Sequence, residues 1–174
     1  MKKKILGFTL AVALLVPVGI AAAGPSSAAA AGTTCKPPSG TVKLTPGLTA
    51  TKTVQTITIN LPISGCKGGG VTGGTFKGSL KTTPISIATF AASSAPLKLN
   101  STITWNTKAT STLVATSTTK IAKVITSTVK GKISKGVFVG LTFTSVQTVT
   151  LGKPAASGAI TTLNIKGSAA VTIK

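Results

Sequence analysis

Several stretches of this chain alternate apolar and polar residues with a period of two, and only an extended strand turns that period into two distinct faces. Ile57, Ile59, Leu61 and Ile63 share a face with Gln55, opposite Val54, Thr56, Thr58 and Asn60. Leu99, Ile103 and Trp105 alternate with Asn100, Thr102, Thr104 and Asn106. Val137, Val139, Leu141 and Phe143 repeat the pattern, with Thr142 and Thr144 opposite. Near the end, Leu163, Ile165, Ala169, Val171 and Ile173 stand against Thr162, Asn164, Lys166, Ser168, Thr172 and Lys174. One apolar face and one Thr/Lys face is the signature of an antiparallel sheet with a single wet side.

Turn signals separate these runs: Pro46-Gly47, Ser64-Gly65 with Gly68–Gly70, Ala95-Pro96, Asn106-Thr107, Lys130-Gly131, and Gly152–Gly158 around Pro154. The spacing predicts an all-β domain over residues 41–174, a single antiparallel β-sandwich or small β-barrel of about eight strands. Before it, residues 1–31 read as a signal peptide and residues 32–40 as a flexible arm. Lys2, Lys3 and Lys4 precede an apolar run from Ile5 to Ile20, and an alanine-rich stretch through Ala31 follows. An exported protein, extracellular or held at the cell wall, is the expectation. No helical period is sustained beyond the leader.

The charge balance is one-sided: 19 basic residues, all lysine, and no Asp, Glu or His. No side-chain salt bridge can form, so lysine repulsion must be offset by burial and hydrogen bonding. The same absence removes most active sites. Without His, Asp, Glu, Tyr or Arg there is no ordinary acid–base pair, no triad and no carboxylate metal site. Neither enzyme activity nor a cofactor is expected. Ser117-Thr118-Thr119-Lys120 spells S-x-x-K, but the motif needs a helix start and partner motifs that this chain lacks. Gly68-x-Gly70-x-x-Gly73 spells a dinucleotide fingerprint with neither a following helix nor a downstream acid, and reads as a turn.

Cys35 and Cys66 are the only cysteines, and in an exported chain they read as one disulfide. Closing a loop of about 30 residues is worth about 3–4 kcal/mol in the chain-entropy account. No other ligand exists for a metal site, and none is expected.

A faint repeat relates Val71–Gly78 to Ile133–Gly140, sharing the pattern aliphatic, hydroxyl, any, Gly, any, Phe, any, Gly. In a strand, Gly74, Phe76 and Gly78 would line one face, as would Gly136, Phe138 and Gly140. The expectation is a pair of strand kinks in which the ring covers bare backbone; a duplicated ligand slot is the functional counterpart. Together with Cys35, Ser39-Gly40-Thr41-Val42, Pro46-Gly47-Leu48-Thr49 and Ser64-Gly65-Cys66, these segments resemble a loose group of small secreted actinobacterial proteins. The resemblance implies a disulfide-bonded β-protein of the cell exterior and no ligand.

The remaining functional reading is electrostatic. Lys77, Lys81, Lys120, Lys123, Lys130, Lys132 and Lys135 form the densest lysine series, suited to anionic envelope polymers or an anionic lipid surface. Sequence-specific nucleic-acid binding is not expected, because no Arg is present for bidentate base contacts and few aromatics for stacking. A transmembrane barrel with apolar residues outward and a cationic lumen is the alternative, although aromatic girdles are missing. A Ser–Lys hydrolase is a distant third.

Overall fold

The structure is a computed structural model describing residues 31–92, 96–121 and 124–174. Residues 1–30 of the expected leader fall outside the described residues, as does Lys123. Among the described residues, ten strands and one helix follow in order. They are β1 (Thr33–Cys35), β2 (Ser39–Leu48), β3 (Thr53–Ser64), β4 (Gly73–Ile85), α1 (Ile87–Ala92) and β5 (Leu97–Trp105). β6 (Thr110–Ile121), β7 (Ile125–Gly136), β8 (Thr142–Leu151), β9 (Ile160–Gly167) and β10 (Val171–Ile173) complete the chain.

Each strand from β2 to β9 pairs antiparallel with the next, and β9 pairs back onto β2. The sheet therefore closes into an eight-stranded up-and-down barrel. β1 and β10 pair with each other, and β10 also pairs with β8, so that they prolong the barrel at its seam. The residues expected to be a flexible arm contribute β1 and the start of β2, so that expectation is corrected: backbone pairing and the disulfide tie them to the barrel.

The alternation seen in the sequence sorts inside from outside. Ile57, Leu61, Ile63, Leu99, Ile103, Trp105, Leu163 and Ile165 are buried in the interior, while the intervening Thr, Asn and Lys face out. A membrane barrel needs the reverse polarity. At one end, Trp105, Phe138, Ile103, Leu113, Ile133 and Ile173 are at most 1% exposed and form a dry plug beside the Cys35–Cys66 disulfide. A second cluster, including Leu44, Leu48, Ile85, Val149 and Ile160, fills part of the other end.

Four local expectations are corrected. Val137–Leu141 is a turn, not a strand: Gly136, Phe138 and Gly140 all take positive φ, which reverses the chain between β7 and β8. The two copies of the glycine–phenylalanine repeat therefore differ, Phe76 lying in β4 and Phe138 at the turn. Pro46-Gly47 lies within β2, where the register with β9 shifts between Lys43 and Leu48. Lys130-Gly131 lies inside β7, where a Cβ on Gly131 would run into the backbone of Val114 and Ala115. The final alternating run is two strands, because Ser168 and Ala169 both donate backbone N–H groups to the Val146 carbonyl in a bulge. That bulge leaves Ala169 exposed and returns Val171 and Ile173 to the interior.

The helix α1 was not expected. Ser86 caps it: Thr89 N–H donates to Ser86 Oγ at 3.3 Å, and Ser86 N–H donates to Thr89 Oγ1 at 2.7 Å. This is a capping box with Thr in the place of the usual Glu or Gln.

Candidate functional site

Two regions of the barrel carry chemistry. The first is the outer wall. All lysines on strands point outward, but they are not evenly distributed around the barrel. Lys77 and Lys81 lie on β4, Lys98 on β5, Lys120 on β6, and Lys130, Lys132 and Lys135 on β7. These four strands are consecutive in the sheet. The strands of the other wall carry only Lys43 on β2 and Lys166 on β9, with none on β3 and β8, while Lys36, Lys52, Lys67, Lys108, Lys153 and Lys174 lie in the loops and after β10. Six of the seven lysines singled out in the sequence thus share one wall, joined by Lys98, which linear density did not select.

The register explains how this wall folds without a single carboxylate. Lys77 stands opposite Asn60 and Thr102, Lys98 opposite Thr116, and Lys130 opposite Thr116 and Thr144. Lys132 faces Val114 and Thr142, and Lys135 faces Thr112. No lysine is paired directly with another in the described ladders, which avoids the like-charge repulsion that directly opposed pairs incur. Neighbouring strands lie about 4.8 Å apart, so Lys98 and Lys130 are separated by about 10 Å across Thr116. A shallow recess around Gly78, lined by Asn60, Lys77, Asn100, Thr102 and Thr112, adds uncharged donors and acceptors to the same wall.

The second region is the lumen. Between the plug and the helix end is a cavity of about 150 Å³. Val42, Ile57, Leu61, Leu80, Leu163 and Ile165 make one side largely apolar, with Thr82 and Thr83 of β4 also on the lining, and Phe90 from α1 lies over it at the helix end. The opposite side, from β6 to β8, presents Ser117, Thr119, Ser127, Ser145 and Gln147. Ser117 and Ser127 Oγ atoms bond each other at 2.8 Å. Ser145 Oγ is buried with no partner.

The letter motifs resolve in the same geometry. Ser117 lines the lumen, whereas Lys120 is on the exposed outer face of β6, so the S-x-x-K residues point to opposite sides of the wall. Gly68 and Gly70 take positive φ in the loop between β3 and β4, a turn as expected. Phe76 stacks on Phe143 at 6.0 Å, while Phe138 meets Trp105 edge-on at 5.3 Å. The two phenylalanines occupy different layers and form no duplicated slot. Comparison with protein-family models, curated proteins and solved structures found no match.

Proposed function

We propose that this is an exported, non-catalytic β-barrel that associates with anionic envelope polymers through its β4–β7 wall. The observation supporting the reading is the one-sided placement of Lys77, Lys81, Lys98, Lys120, Lys130, Lys132 and Lys135. A purely solubilising charge has no need of a side, whereas a polyanion is held by a contiguous field. Thr and Asn between the lysines supply neutral hydrogen bonds to sugar or phosphate oxygens. The disulfide fits an oxidising exterior.

The test uses the folded chain on immobilised polyphosphate and on isolated anionic wall polymers over a salt series. Retention should fall steeply with salt, with the slope decreasing by about 0.7–0.9 for each contacting lysine removed. Replacing Lys130, Lys132 and Lys135 by Gln should weaken retention strongly; replacing Lys43 and Lys166 should change it little. Equal losses from both walls, or no retention at low salt, would reduce the lysines to solubilising charge.

A further inference from the structure

We propose that the lumen is a binding site for one small neutral molecule with an apolar body and a single hydrogen-bonding group. The inference stands apart from the lysine wall and rests on different atoms.

Size comes first. An eight-stranded barrel has an interior that side chains either fill or leave open for one small ligand. Here they fill the disulfide end and leave about 150 Å³ toward the helix end. An apolar cavity of about this volume accepts a benzene-sized molecule.

Polarity comes second. Most of the lining is aliphatic or aromatic, yet the β6–β8 side carries hydroxyls. Ser117 and Ser127 satisfy one another. Ser145, only 3% exposed, has an Oγ without a partner. A buried hydroxyl left unpaired is costly, so a ligand group that meets it gains the bond and removes the penalty. Ser101, the other unpartnered buried hydroxyl among the described residues, does not line this cavity.

Charge comes third, and it narrows the class. The chain is rich in lysine, yet among the described residues no lysine lines the cavity. A carboxylate entering it would be buried without a counter-ion, and an amine would find no acid anywhere in the sequence. The ligand class is therefore neutral: an alcohol, phenol, ketone or lactone on a compact hydrocarbon frame.

Benzyl alcohol, toluene, benzoate and benzylamine test this on the full chain, with binding read from the lumen methyl resonances of Leu80, Leu99 and Val129. Benzyl alcohol should bind at least tenfold more tightly than benzoate or benzylamine at neutral pH. Below about pH 4, the ordinary carboxylic range, benzoic acid becomes neutral and should bind like the alcohol. No side chain of this protein is a carboxylate or histidine, so the pH change acts on the probe. Ser145→Ala should weaken benzyl alcohol about tenfold and leave toluene unchanged. Leu80→Phe should reduce both by filling the space.

Failure of benzyl alcohol and toluene to shift those resonances at millimolar concentration would overturn the proposal. So would benzoate binding equally well at neutral pH, or an unchanged alcohol affinity in Ser145→Ala.

Discussion

Gln55 on β3 takes both backbone groups of Gly47 on β2: its Oε1 accepts from the Gly47 N–H at 2.9 Å, and its Nε2 donates to the Gly47 carbonyl at 3.1 Å. The pair sits where the β2–β9 register slips between Lys43 and Leu48, and Gln55 supplies a hydrogen-bond partner to each Gly47 backbone group there. Gln55 is fully buried. Gln55→Leu keeps the volume but orphans both Gly47 groups. Unsatisfied buried groups cost about 1–3 kcal/mol each, and with two of them the variant should lose about 2–6 kcal/mol in guanidinium unfolding.

Acid should leave the native protein almost untouched. Acid denaturation works mainly by protonating carboxylates held in the native state, and no Asp or Glu exists here to protonate. Denaturation midpoints should be level from pH 7 to about pH 3. Gln55→Glu supplies the contrast. Burial beside the Gly47 carbonyl disfavours the charged form, so the folded-state pKa of the introduced Glu would rise above its unfolded value. Its protonated form would then be the better tolerated. That variant should be most stable in acid and lose stability as pH rises through the folded pKa. A wild-type midpoint that falls through the carboxylate range would defeat the argument.

The alternation of Ile57, Leu61 and Ile63 with threonines made the strands and their inner faces legible, because a period of two survives any curvature of the sheet. Closure into a barrel was not legible. It depends on β9 meeting β2, a pairing between residues such as Gly40 and Ile165 that no local pattern announces. The lysine wall was half legible for the same reason. Lys98 and Lys130 are far apart in the chain and share a wall only through the β5–β6–β7 ladders. Glycine misled the reading at Gly131, where bare backbone serves close packing within a strand and not a turn. The lumen hydroxyls were invisible as a group, since Ser117, Ser127 and Ser145 come from three different strands and meet only through the β6–β7–β8 ladders.

Gly131 gives that last distinction a measurable form. A methyl group there would press on the backbone of Val114 and Ala115 rather than on a movable side chain. Gly131→Ala should cost about 1–3 kcal/mol or more, as overpacking does. Gly78→Ala is a milder comparison, because its added carbon would meet the side chains of Ser101 and Leu99 first, at 3.0 and 3.3 Å. Chemical denaturation of the two variants should rank Gly131→Ala as the less stable. A turn glycine would give no such steric ranking.

Trp105, Ser111, Val137 and Phe138 form a single unit at the plugged end. Trp105 Nε1 donates to Ser111 Oγ at 2.8 Å, and that hydroxyl donates onward to the Val137 carbonyl. The bond holds the β7–β8 turn, in which Phe138 sits at φ 67° with its ring edge-on to the same indole. A bulky residue resists that φ, and burial of the ring against Trp105 offsets the strain. Phe138→Ala should therefore cost about 3–5 kcal/mol, and Ser111→Ala about 1–3 kcal/mol through the orphaned indole N–H and carbonyl. The double variant should lose less than the two together, because once the turn is released its second anchor has nothing to hold. The emission of Trp105, the only tryptophan, reports the unfolding of each variant directly. Strict additivity would mean that the hydroxyl and the ring hold the end of the barrel independently.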